Sequence, residues 1–314
     1  MKSAAYREQL RELHVDLRNA AVGGLLATYL PLVAALALVL HWPGLVSGVV
    51  AFVVIGCMQY RLLMSCHEAV HQRLLFPRTR NEAFGAFNAA LVGVCFERHR
   101  RHHLAHHRAA RVADDPDANA YLPVLEVPPG PRRAAALCRG LLQDLAAQLR
   151  QLAPEPSDDP SGRLAMQHIG LVAAVQLVLL VGFTAVLGPW AYFALWLAPL
   201  ASIALFLNRV RIFVEHGYRL VQDEREPQQL GDAPLEAIDL VSHPLECYLV
   251  APFEFNHHSA HHRYPGVPFY RLPDLVAALG RHEPDYDGPV SGCYSALLLE
   301  MLRGRPRTRP QARA

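Results

Sequence analysis

Two stretches of this chain contain no Lys, Arg, Asp or Glu: the one between Arg18 and Arg61 and the one between Arg163 and Arg209. One bilayer-crossing helix needs about 20 apolar residues, and each stretch is about twice that long. Inside each lies a turn signal, His41-Trp42-Pro43-Gly44 in the first and Gly188-Pro189-Trp190 in the second. The patterning therefore predicts an all-α integral membrane protein with four transmembrane helices arranged as two hairpins. The spans are expected at about 20–40, 45–65, 166–187 and 190–208, within a single membrane-embedded domain covering 1–314. A Trp at each hairpin tip suits the aromatic belt at a membrane interface.

Four spans leave both chain ends on one side. Lys2, Arg7, Arg11 and Arg18, the Arg-rich middle of the chain and the Arg-containing C-terminus share that side, whereas the tips carry no Lys or Arg. By the positive-inside rule it is the cytoplasm, which makes residues 66–165 and 209–314 a cytosolic helical cap and points to a bacterial inner membrane. A soluble protein would have to bury two long uncharged blocks in one modest domain. The net charge of +2 carries no nucleic-acid motif with it, so nucleic acid is not expected as a partner. None of the six cysteines forms a C-x-x-C pair, and they read as reduced thiols.

Two amphipathic segments accompany the spans. Tyr6, Leu10, Leu13 and Leu17 recur at helical spacing, as do Leu137, Leu141, Leu145, Leu149 and Leu152, and both segments are expected to lie on the membrane surface. The apolar run from Asn81 to Phe96 is too short to cross and reads as a helix dipping into the interface. Ala153 to Gly162 reads as a loop.

The chemistry is carried by histidine. Imidazole is the commonest side-chain metal ligand near neutral pH. Directly after the second span comes His67-Glu68-Ala69-Val70-His71, whose two imidazoles stand one helical turn apart. The same five residues are a literal H-E-x-x-H, in which two His bind zinc and the Glu serves as general base of a protease. A second cluster occupies His99 to His107. Both His103, His106, His107 and His99, His102, His103 have H-x-x-H-H spacing there, so its register is open from spacing alone. Beyond the fourth span stands a lone His216, about two turns past the charged end and at a height similar to His67 and His71. Near the C-terminus, His258, His261 and His262 share one helical face, and His257 points elsewhere.

This order of boxes resembles the membrane fatty acid desaturase/hydroxylase superfamily. The likeness runs from about Leu62 to Leu275. It rests on His67-Glu68-x-x-His71, on His103-x-x-His106-His107 followed by Asp114-Asp115-Pro116-Asp117, and on Asn256-His257-His258-x-x-His261-His262 followed by Tyr264-Pro265-Gly266-Val267-Pro268. The acidic run favours the His103 register by this resemblance. The resemblance implies a non-haem di-iron centre of two Fe ions that uses O2 to attack an unactivated C–H bond. Its metal ligands would be His67, His71, His103, His106, His107, His216, His258, His261 and His262, with no catalytic residue beyond them. Fatty acyl desaturation is the leading expectation, and a hydroxylase or ketolase of a lipid or other small apolar molecule is the close alternative. Glu68, Asp114, Asp117 and Glu215 are candidates to orient imidazole N–H groups. No haem-binding electron-transfer segment stands in this sequence, so electrons are expected from a separate ferredoxin- or rubredoxin-type protein, with Arg98, Arg100, Arg101, Arg108 and Arg111 as a docking surface. A membrane zinc protease built on His67, Glu68 and His71 would leave two H-x-x-H-H boxes without a role. A non-catalytic metal-handling protein would place ionisable groups within its spans.

Overall fold

The computed structural model describes residues 4–15, 20–154, 159–223 and 225–304. Lys2, Leu17, Arg18, the centre of the Ala153–Gly162 loop and the C-terminal arginines fall outside the described residues. The described chain is mostly helical, with almost no strand. In order it runs α1 (Ala4–Leu13), α2 (Ala20–His41), α3 (Leu45–Val70), α4 (Arg78–Leu91), α5 (Phe96–His106), α6 (Leu122–Leu125), α7 (Pro131–Arg150), α8 (Pro160–Leu187), α9 (Leu205–Val221), α10 (Pro244–Leu249), α11 (His258–Arg263), α12 (Leu272–His282) and α13 (Tyr294–Arg303). A two-residue parallel ladder pairs β1 (Leu240–Val241) with β2 (Val290–Ser291).

Four helices are long and apolar enough to cross a membrane: Ala21–His41, Leu45–Val70, Pro160–Leu187 and Phe193–Val221. Three of them outrun the uncharged blocks. The second reaches Val70, the third begins at Pro160, where Asp159 caps the helix by accepting the Gly162 N–H at 2.8 Å, and the fourth continues to Val221. These extensions bring Arg61, Glu68, Arg209, Arg211 and Glu215 into the same rods, all of them buried. A long helix is indifferent to where charge begins, provided the charged groups find partners.

The residues group into two compact units. One comprises 18–104 and 141–208 and holds α2, α3, α4 and α8. Its core is α3, which packs on α2, on α4 and on the segment 193–204. The turns Phe193–Leu197 and Leu200–Ala204 are π-helical, flanking Pro199, which cannot donate to the helical ladder. Two glycines permit the close approaches. A Cβ on Gly56 would lie 2.6 Å from Ile203 Cβ, and one on Gly85 would lie 2.6 Å from both Ala69 Cβ and Phe96 Cζ. By contrast α8 leaves Leu177, Val178, Val181 and Val186 exposed, an apolar stripe suited to lipid. Helix α4 packs on α3 and α8, with Phe84 and Phe87 exposed.

The other unit comprises 1–17, 105–140 and 209–314. Here α1 turns its apolar face onto α12 instead of leaving it for a membrane surface. Tyr6 and Leu13 are buried, Tyr6 stacks on His282 at 4.6 Å, and its hydroxyl donates to Glu283 at 2.8 Å. Glu283 also accepts from Tyr264 Oη at 2.6 Å and from Arg263 at 3.0 Å, so one carboxylate joins three segments. The buried Arg209 donates to the backbone oxygens of Gly140 and Asn119. All six cysteines are free thiols.

Candidate metal centre

In the unit built on α3, the end of that helix carries the first box. Helix α3 stops at Val70 because Gln72 takes a left-handed conformation, φ 62°, and Arg73 N–H donates back to Glu68 O at 2.9 Å. The buried Asn81 then fastens this end: its amide donates to Ala69 O at 2.8 Å, and its oxygen accepts Leu74 N–H and Leu75 N–H at 3.1 and 3.2 Å. His67 and His71 therefore stand on a fixed turn, with ring centroids 4.8 Å apart. His103 on α5 joins them, 4.2 Å from the His67 ring, with its Nε2 2.8 Å from His71 Nε2. His67 Nδ1 meets Glu68 Oε1 at 3.0 Å. A carboxylate only accepts, so Nδ1 carries the proton and Nε2 keeps its lone pair for a metal.

In the other unit, four imidazoles from three separated parts of the chain meet: His106 at the end of α5, His216 on α9, and His258 and His262 one turn apart on α11. The Nε2–Nε2 separations are 3.2 Å for His106–His262, 3.0 Å for His216–His258 and 3.1 Å for His258–His262. Imidazole nitrogens bound side by side to one ion at about 2.1 Å lie about 3 Å apart, so the donor set fits a transition-metal ion. His106 Nδ1 donates to Asp115 Oδ1 at 2.6 Å, and His216 Nδ1 donates to Glu236 O at 2.9 Å. Both bonds leave Nε2 as the free lone pair. His107 and His261 lie beside this quartet, their rings 5.0 Å apart, with His107 stacked on His262 at 4.4 Å.

Three buried carboxylates shape the quartet. Asp115 holds His106 and also accepts Tyr121 Oη at 2.6 Å and Asp117 N–H at 2.9 Å. Glu215 places Oε2 3.6 Å from His258 Nε2 while accepting Arg211 at 2.8 Å and Tyr294 Oη at 2.6 Å. Asp239 seats α11: its Oδ1 accepts Ala260 N–H at 3.1 Å and its Oδ2 accepts Tyr286 Oη. Beside it Leu240 N–H donates to Asn256 O at 2.7 Å, and Asn256 returns a bond to Leu240 O at 3.1 Å.

Burial sets the protonation. His258 and His262 are held well below the ordinary imidazole value by burial and then by neighbouring imidazoles, and His107 is pushed down to about 4 by burial and by His106. These rings are neutral at pH 7 and need lose no proton to bind a metal. His106 shifts the other way: burial pulls it down, but the Asp115 hydrogen bond and the charges of Asp117 and Asp115 outweigh that.

Each residue expected from the sequence thus has a place. His67, His71 and His103 meet in one unit, and His106, His107, His216, His258, His261 and His262 lie together in the other. His99 stacks on His103 at 6.2 Å, and His257 lies 3.8 Å from Glu254. Neither these two nor His102 joins a converging group among the described residues. Asp114 does not orient an imidazole; it pairs with Arg111 at the surface, because the 3-10 turn at Val112–Asp114 points it outward and Asp115 inward. Asp117 stands 3.8 Å from His106 Nδ1, too long for a hydrogen bond. The five arginines differ in exposure and partners. Arg98 donates to Gln151 O and Ala153 O, and Arg100 is held by Glu82 and Glu97, whereas Arg101, Arg108 and Arg111 are exposed. The supporting roles of Asn81 and Asp239 escaped the sequence reading, since neither lies in a histidine box.

A protein-family model described as fatty acid desaturase matches residues 40–293, most of the chain. No curated protein matches it.

Proposed function

We propose, from the premise that this chain belongs to the fatty acid desaturase family, that it is an O2-dependent di-iron membrane oxygenase and that its reaction is fatty acyl desaturation. The nine histidines are the proposed ligands, the spans the proposed two hairpins, and the histidine boxes face the cytoplasm. When bound, two irons supply the activation of O2 and the oxidising power to remove hydrogen from an unactivated carbon, with electrons from a separate ferredoxin- or rubredoxin-type donor. The chain's own contribution is orientation. Glu68 and Asp115 each hold an imidazole by its far nitrogen, the Glu236 backbone oxygen does the same for His216, and Asp239 seats the helix that carries His258, His261 and His262. Burial keeps His107, His258 and His262 unprotonated.

The observation that carries this reading is the quartet of His106, His216, His258 and His262, whose neighbouring nitrogens approach to 3.0–3.2 Å from three distant parts of the chain. A zinc protease built on His67 and His71 has no use for it. Glu68 argues the same way, since its Oε1 meets the far nitrogen of His67 and so orients a ligand. Elemental analysis of the detergent-purified protein beside His216→Ala and His262→Ala tests the proposal. Two metals per chain, lowered in both variants, together with double-bond formation in an acyl chain under O2 and a reducing system, support it. One zinc retained in both variants refutes it. A hydroxylated product in place of an alkene would leave the metal centre standing and change the reaction to the close alternative.

A further inference from the structure

Within the unit built on α3, an open groove of about 660 Å3 runs between α4 and α8. Its volume is that of a small-molecule site. The two ends differ in chemistry. Toward the starts of α4 and α8 lie Arg78, Glu82, Gln167 and His168, with Arg100 from α5 and the apolar Ala83 and Leu164 among them; further along lie Ala86, Phe87 and Leu171. The polar end adjoins the start of both helices, and the apolar end leads along the lipid-suited stripe of α8.

The polar groups at the mouth are mainly donors. His168 Nδ1 accepts Glu97 N–H at 3.1 Å, so Nε2 carries the proton. Glu82 is engaged by Arg100 and by Gln72 Nε2. Arg78 stands 3.9 Å from Glu82, beyond hydrogen-bond length, and its side chain is 80% exposed. A guanidinium so placed matches a phosphate, which it can engage through two parallel N–H bonds. Basic pockets between spans at a membrane face suit lipid headgroups.

We propose that this groove is a phospholipid site, with the phosphodiester at Arg78 and the Gln167 and His168 donors, and one acyl chain against Phe87 and Leu171. None of the nine histidines proposed as metal ligands is among its lining residues, and the proposal is independent of the reaction assigned to them. The occupant is recognised by its phosphodiester, so the headgroup beyond it is secondary.

Native mass spectrometry of the full chain in mild detergent tests this, with added phosphatidylglycerol, phosphatidylethanolamine, diacylglycerol and free fatty acid of matched chains. The wild type is expected to retain one phospholipid of either headgroup in preference to diacylglycerol. Arg78→Ala should lower that retention about tenfold, as loss of a charge-assisted contact implies. Arg78 is exposed, so its loss does not threaten folding. Phe87→Ala should weaken retention as well, whereas Arg132→Ala, an exposed arginine on α7, should not. Retention unchanged in Arg78→Ala, diacylglycerol held as well as phospholipid, or fatty acid held in preference to both would each overturn the proposal.

Discussion

Replacing Asp115 with Asn exchanges one oxygen for an amide nitrogen and removes one charge at a residue that is only 5% exposed. Two strong bonds are at stake, His106 Nδ1 to Oδ1 at 2.6 Å and Tyr121 Oη to Oδ2 at 2.6 Å. The amide keeps one acceptor for His106, but the bond loses its charge and Tyr121 must reverse its hydroxyl. Hydrogen bonds to a buried charged group contribute roughly 1.5–3 kcal/mol, so apo stability should fall by about that much. Losing the partner that orients a metal-binding imidazole lowers metal affinity about 10- to 100-fold, or about 1.4–2.7 kcal/mol. Chelator competition and thermal unfolding, each with apo and metal-loaded protein, read the two quantities separately. Asp114→Asn is the control, because its partner Arg111 lies at the surface, and it should leave both readings unchanged. If Asp115→Asn binds metal within twofold of wild type, or if Asp114→Asn matches its loss, the claim that Asp115 sets the His106 lone pair is wrong.

Three further outcomes are expected. Asn81→Ala should destabilise the protein by roughly 3 kcal/mol, because it strips a hydrogen-bond partner from Ala69 O, Leu74 N–H and Leu75 N–H behind His71; denaturant unfolding measures it. Burial lowers His257 to about 4, below its unfolded value of about 6.5, so its stabilising share is intact above about pH 6.5 and is lost as pH falls toward 4. Apo His257→Gln should therefore lose up to about 3 kcal/mol less than wild type between those pH values, which paired unfolding curves would show. Tyr6→Phe keeps the buried ring and removes the hydroxyl that donates to Glu283, so it should cost about 1 kcal/mol and leave metal content unchanged.

Membrane helices and histidine boxes were legible in the sequence because both are written in adjacent residues. A charge-free run announces a span, and His258, His261 and His262 announce a shared face. The limits of the spans were not legible, since α3 and α9 run on through charged residues that are satisfied at a distance, Arg61 by Thr28 Oγ1 and Glu215 by Tyr294. The second-box register was ambiguous because two overlapping sets share one spacing. Only the fold shows His103 beside His67 and His106 beside His262. The orienting carboxylates were half legible. Glu68 adjoins its histidine, whereas choosing Asp115 over Asp114 depends on which side of one tight turn faces inward. Asp239 lies 21 positions from its partner Ala260 and carries no local signature. For α1 the periodicity correctly marked an apolar face; what covers that face is a tertiary fact.

Helix α3 is an unbroken rod of 26 residues, about 39 Å long at 1.5 Å per residue, and His67 stands on its last turn. The hydrocarbon layer is about 30 Å thick, so the rod outreaches it by about 9 Å. On the proposed placement of the spans, that overhang would carry the first box clear of the lipid and tie the height of two imidazoles to the thickness of the membrane. A bilayer thicker by about 3 Å must straighten the rod or draw two more residues of it into the acyl layer, toward Ser65 and Cys66. The buried Glu68 resists being drawn in. Reconstituted in lipids of increasing chain length, the protein should hold its metal until the acyl layer reaches the turn that bears His67 and lose it beyond that length. If the proposed acyl desaturation holds, the membrane whose chains it alters would then act back on the enzyme through its own thickness.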